Sequence, residues 1–199
     1  MNLLPTNSIK AKPIIETLIL IAFAILVAVL VRLFLLQLFY IPSGSMEPNL
    51  QIDDNVFVNK MAYEFRDIER GDIVVLKAPA SVTAADPKIK DLIKRVIGLP
   101  GETVEGICEN GAEQCRVKVY VTEPGGSPKL LSEPYINADP TYSVYLPFEA
   151  IEVPANSVLL LGDNRAHSND GRKFGTVKTD EIIGRAFLRV WPLKRAGLL

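Results

Sequence analysis

DLIKRVIGLPGE, residues 91–102, is the stretch on which the fold turns. Its first half mixes aliphatic and charged residues, and Gly98, Pro100 and Gly101 then stop it, as at the end of a strand. With a period of two, Leu92, Lys94 and Val96 share one face, and Ile93, Arg95 and Ile97 share the other. Either face carries a cation between apolar neighbours. If Lys94 points inward, burial disfavours its charged form and lowers its pKa, which makes it a general base near neutral pH. If Lys94 points to water, Arg95 is the buried cation instead. Alternation alone leaves both arrangements open.

Working outward, the same kind of short β-branched run recurs. NVFVNK (55–60), GDIVVLK (71–77), CRVKVYV (115–121), SVLLLG (157–162) and RAFLRVW (185–191) are separated by turn signals such as Arg70-Gly71, Pro124-Gly125-Gly126 and Asp163-Asn164. No long 3.6-residue period follows residue 41. The expected class is mainly β, an antiparallel β-sheet domain with sandwich or barrel character over residues 37–199. Residues 103–152, rich in Pro, Gly and polar groups, are expected to form a small inserted β subdomain.

Ahead of that domain, TLILIAFAILVAVLV (17–31) carries no charge and is flanked by Glu16 and Arg32. A bilayer core of ~30 Å needs about 20 apolar residues in a helix, so residues 13–36 are expected to be one transmembrane helix. Arg32 sits near its end, where it can snorkel to the interface. A cleaved leader fits poorly, because the run is long and bulky residues fill the stretch where small ones precede a cut. Lys10 and Lys12 precede the helix, whereas Glu47, Asp53 and Asp54 come before the first lysine beyond it, Lys60. The positive-inside rule therefore expects a short cytoplasmic N-terminus at 1–12 and residues 42–199 on the exported side.

The 199 residues suffice for one domain plus an anchor, and 48% hydrophobic with 23% charged residues supports a packed core. A net charge of −1 argues against a nucleic-acid binder. Cys108 and Cys115 flank a turn-rich stretch. A metal site would want more ligands, and His167 is the sole histidine, so a local disulfide in an oxidising compartment is the expected state, with no metal and no cofactor.

Two further polar constellations stand out. In IPSGSMEPNL (41–50), Pro42 and Pro48 stiffen a Ser-Gly-Ser turn that can expose Ser45 beside backbone N–H groups; by composition alone it is also an ordinary loop. GDNRAHSNDGRKFG (162–175) follows the apolar run SVLLL, as site residues at a strand end often do, but a solvated hairpin with Asx turns has the same composition.

Taken together, GSMEP, KRVIGLPGE and GDNR–HSND–R stand in the order of the signature boxes of bacterial type I signal peptidases (leader peptidases), which this chain resembles. RGDIVV (70–75) matches a further box, and the resemblance runs from the apolar segment to about Arg172. It implies a serine endopeptidase of the bacterial cytoplasmic membrane, working with a Ser/Lys pair through an acyl-enzyme. Its partners would be signal-peptide-bearing preproteins and the lipid bilayer. Ser45 corresponds to the nucleophile, and Lys94 to the general base. Ser43 and the Ser45 N–H correspond to the oxyanion donors, and Ser168 to the serine that orients the lysine. Asp163, Asp170 and Arg172 correspond to supporting residues. Phe39, Ile41, Pro42, Met46, Leu50, Val56 and Ile93 correspond to the substrate-binding surface, with shallow pockets for alanine-sized side chains.

One departure is local. Many relatives carry Asp-Asn between the arginine of GDNR and the serine, where this chain has Ala166-His167. His167 invites a rival reading, a Ser45–His167–Asp triad. Two others are a membrane-tethered binding protein without catalysis and an export-machinery subunit that holds peptides.

Overall fold

The computed structural model describes residues 11–30, 35–108, 115–136 and 139–199. They divide into two units, Met1–Leu36 and Gln37–Leu199. The first contains a helix, Ala11–Leu30, whose described side chains, 14–29, are exposed and apolar apart from Glu16 and Thr17. Among the described residues no helix is long and apolar enough to cross a membrane. The expected cytoplasmic N-terminus falls largely on residues 1–10, and the far end of the expected anchor on 31–34; both lie outside the described residues.

The second unit is built from short strands: β1 (Leu36–Tyr40), β2 (Asn55–Asn59), β3 (Ile73–Lys77), β4 (Asp91–Gly98), β5 (Thr103–Ile107), β6 (Cys115–Arg116), β7 (Lys118–Thr122), β8 (Lys129–Leu130), β9 (Val144–Tyr145), β10 (Phe148–Glu152), β11 (Ser157–Leu161), β12 (Val177–Lys178), β13 (Ile182–Trp191) and β14 (Gly197–Leu198). The main sheet runs β1-β2-β13-β3-β4-β11-β12, with β14 beside β13. Its β2–β13, β13–β3, β3–β4 and β4–β11 pairings are antiparallel. The ten-residue β13 pairs with β2, β3 and β14, and its register shifts against β2 and β3 let the sheet curl. A second sheet, β10-β5-β7-β8, and a two-stranded pair, β6-β9, form from residues within the expected insertion. Cys108 and Cys115 are joined in a disulfide, with their Cα atoms 5.8 Å apart.

Three apolar clusters meet around β4. Ile93 belongs to one with Ile41, Met46, Leu50 and Val56; Val96 to another with Val74, Leu76 and Leu160; Ile97 to a third with Val104, Val119 and Leu159. β4 is thus covered on both faces, and that resolves the ambiguity of its sequence. Lys94 and Arg95 are both buried, 2% and 8% exposed, where strict alternation offered one or the other. Alternation fails because it presumes a sheet with one wet face.

Candidate active site

Two buried cations at successive strand positions require compensation, since an unpaired buried charge costs several kcal/mol. Arg95 receives it in full. Its Nε donates to Asp163 Oδ1 at 2.8 Å and its Nη2 to Oδ2 at 2.6 Å, Nη1 reaches the Gly71 carbonyl at 2.8 Å, and the guanidinium lies 4.0 Å from the Tyr135 ring centroid. Lys94 receives no carboxylate within bonding reach. Its Nζ donates to the Ile93 carbonyl at 2.8 Å and lies 2.8 Å from Ser45 Oγ. Burial pulls the Lys94 pKa down to about 8, against the weaker upward pull of Asp170 and Asp163. An amine that loses its proton this readily, in contact with a hydroxyl, can accept the hydroxyl's proton.

Ser45 lies in a one-turn 3-10 helix, Gly44–Met46, entered from an extended Ser43 and held under by the buried Met46. Asn164 fastens this turn from outside. Its backbone N–H donates to the Ser45 carbonyl at 3.1 Å and its Nδ2 to the Gly44 carbonyl at 3.0 Å, while its Oδ1 accepts the His167 N–H at 3.1 Å. Asn49, just beyond the turn, donates to Asp163 Oδ2 at 2.8 Å, so one buried carboxylate ties the segment after Ser45 to the strand that carries Lys94. Gly162 makes the approach possible. A Cβ there would stand 2.2 Å from Ser168 Oγ and 2.4 Å from the Ser45 carbonyl oxygen, closer than real Cβ contacts come.

Behind these groups Asp170 is fully buried. Its carboxylate accepts Arg172 Nε and Nη2, both at 2.8 Å, and the Gly162 N–H at 3.0 Å. Burial pushes its carboxyl up, and Arg172 with the Gly162 N–H more than offsets this, holding it below the usual carboxylate range. Ser168 is buried beside Gly162, and its Oγ has no hydrogen-bond partner of good geometry. The expected Ser168–Lys94 hydrogen bond is not formed here; the Lys94 amine reaches Ser45 Oγ and the Ile93 carbonyl instead. His167 is engaged through its backbone N–H alone among the hydrogen bonds of this loop; its ring makes none with Ser45.

A cleft of about 510 Å³ opens in front of the pair. One wall is Phe39 to Pro42 with Ser43 and Ser45; the other is residues 88–94 with Val75 behind. Of the residues expected at the substrate surface, Phe39, Ile41, Pro42 and Ile93 line this cleft. Met46, Leu50 and Val56 do not: each is fully buried, in the apolar cluster that includes Ile41 and Ile93, and backs the cleft from beneath. Ser43 stands exposed at the cleft mouth. Asn164, Asn49 and Gly162 escaped the sequence reading. Asn164 and Gly162 sit inside the GDNR box, but nothing in their types distinguishes a turn clamp from a turn residue. Among the described residues there is no cluster of His, Cys, Asp and Glu suited to a metal.

The family model described as "Signal peptidase, peptidase S26" matches residues 14–191. The chain is 41% identical over 176 residues to "Probable signal peptidase I-2" of Synechocystis sp., covering 88% of this chain and 72% of that protein. It is 38% identical over 188 residues to "Signal peptidase I" of Leptolyngbya laminosa, covering 94% and 84%. "Signal peptidase I" of Pseudomonas aeruginosa is 36% identical over 204 aligned residues, 85% of this chain and 69% of that protein.

Proposed function

Because the chain belongs to the signal peptidase, peptidase S26 family of serine proteases, we propose that it cleaves signal peptides from exported preproteins by a Ser45/Lys94 mechanism while anchored in the membrane by its N-terminal helix. The observation that carries this reading is the 2.8 Å contact between Lys94 Nζ and Ser45 Oγ, made by a lysine that is 2% exposed and has no carboxylate within bonding reach. The signal segment lies extended in the cleft between residues 39–45 and 88–94, adding a strand, with small side chains seated against Ile41 and Ile93.

Neutral Lys94 takes the Ser45 proton as Oγ bonds to the carbonyl carbon of the scissile peptide. The carbonyl oxygen becomes an oxyanion, facing the Ser45 N–H and the Ser43 hydroxyl; one such donor is worth about 2.7–4 kcal/mol of barrier. The C–N bond then breaks, and the Lys94 ammonium gives its proton to the leaving amine. A water replaces the amine, loses a proton to Lys94, and attacks the ester carbonyl. The signal carboxylate leaves and Ser45 Oγ regains its proton. Ser168 orients Lys94 in this second half, when the acylated Oγ no longer engages the amine. Asp163, Asp170 and Arg172 keep the two loops in place. The exported side suits the disulfide, and the 13–36 segment suits the anchor.

The test is incubation of the purified protein with a signal-bearing precursor beside its Ser45→Ala variant. Cleavage by the first and none by the second is expected; no cleavage by either would replace the enzyme with a binding protein.

A further inference from the structure

The Ala166-His167 departure lies on a second groove. It has a volume of about 720 Å³, begins at Ala166–Ser168 and extends past Arg172 and Lys173 to the apolar Leu146 and Phe148. Its position relative to the cleft follows from chain direction. Residues 39–45 and 88–94 both run toward the Ser45–Lys94 end of the cleft. A substrate filling the cleft with its signal segment therefore passes that end when it continues beyond the scissile bond. The next wall there is the 164–168 turn: Asn164 N–H is bonded to the Ser45 carbonyl, and Ser168 Oγ and the Ser45 carbonyl oxygen both lie within 2.4 Å of a Cβ placed on Gly162.

Among the described residues the groove's charged lining is all basic, Arg165, Arg172 and Lys173, and His167 lines it too. Arg165 is paired with Glu133 and Arg172 with Asp170, which leaves the exposed Lys173 as the cation facing an occupant. At the groove's entrance position 166 is Ala, which carries no charge.

Resting on the proposed cleavage reaction, we infer that this groove holds the first residues of the mature protein after the cut and favours acidic side chains there. Its apolar floor accommodates an extended chain, and Lys173 supplies the charge preference.

The experiment uses the full-length enzyme in detergent and three precursors that differ only at the second to fourth residues after the cut, carrying Glu, Gln or Lys. The Glu precursor is expected to have a kcat/KM about two- to thirtyfold above the Lys precursor, the range of exposed charge pairs counted once as attraction and once as repulsion. Lys173→Glu is expected to bring that ratio to one or below, Lys173→Arg to keep it, and 1 M salt to shrink it, since screening acts within ~3 Å there. Equal rates for all three precursors with the natural enzyme would overturn the inference and leave the cleavage reaction standing. A ratio unchanged in Lys173→Glu would overturn it as well. Failure to cut any precursor would remove reaction and inference together.

Discussion

Burial sets both the reactivity and the cost of Lys94. Its pKa of about 8, against an ordinary value of 10.5, means that between these pH values the unfolded chain holds a proton the folded chain has lost. Stability therefore climbs with pH through that window, and below pH 8 the full penalty applies, as much as about 3 kcal/mol. Lys94→Met removes the ammonium and keeps the length. The variant is expected to be inactive, to be at least as stable as the natural protein at pH 7, and to lose the extra stability gained between pH 8 and 10.5; melting curves across that range check it. Turnover of the natural protein should rise through pH 8 on one basic limb. That limb should persist in His167→Asn, with turnover within about tenfold of normal, ~1.4 kcal/mol of barrier. A dead His167→Asn beside an active Lys94→Met would reinstate the triad. Asn164→Ala keeps the backbone bond to the Ser45 carbonyl and removes the side-chain bonds to the Gly44 carbonyl and the His167 N–H, so it is expected to lower kcat about tenfold with KM nearly unchanged. Of these residues, Ser45 and Lys94 were legible in the sequence because their flanking residues match a known pattern. Asn164 was not, since its role depends on which carbonyls a distant turn presents to it.

At the level of elements, β4 shows where sequence reading stops. The run DLIKRVI marks a strand plainly, but whether Lys94 or Arg95 faces inward depends on what covers the strand. Apolar clusters flank it on both sides, so both cations are buried. The compensation for Arg95 comes from Asp163, on the loop after β11, and the loop after Ser45 hangs on the same carboxylate through Asn49. Asp163→Ala therefore strands the buried Arg95 guanidinium beside Lys94. We expect a loss of about 3–5 kcal/mol in urea unfolding, and loss of activity in whatever fraction remains folded. The apolar residues were misplaced in part for a related reason. Met46, Leu50 and Val56 follow the Ser45 turn in sequence, yet the curl of the sheet turns them beneath the cleft and leaves Ile41 and Ile93 at its surface.

At the scale of the whole molecule, the sequence separates cleanly into an apolar N-terminal segment and a β domain, because hydropathy and strand period are local signals. The division near residue 36 is drawn by contacts as well. The inserted sheets were legible only as an interruption, since β5, β7, β8 and β10 are short and pair across residues rich in turns. The Cys108–Cys115 disulfide ties down one edge of that region. Its loss is expected to cost about 2–3 kcal/mol by chain-entropy reasoning and to leave cleavage intact, because the loop is short and no residue around Ser45 depends on it. Orientation is a property of the entire chain and follows from charge. Lys10 and Lys12 precede the apolar run with no acid before Glu16, and acids lead on the far side. Cationic flanks are retained in the cytoplasm, so residues 42–199 should stand on the exported face, where preproteins emerge and a disulfide persists. A protease added to the outer face of sealed, right-side-out vesicles should then degrade the β domain and leave a short N-terminal fragment. Moving the charge, by Lys10→Glu and Lys12→Glu together with added lysines after residue 41, should increase the protected fraction. Full protection of the natural protein would reverse the orientation, and would leave the Ser45–Lys94 pair on the face where exported preproteins have not yet been inserted.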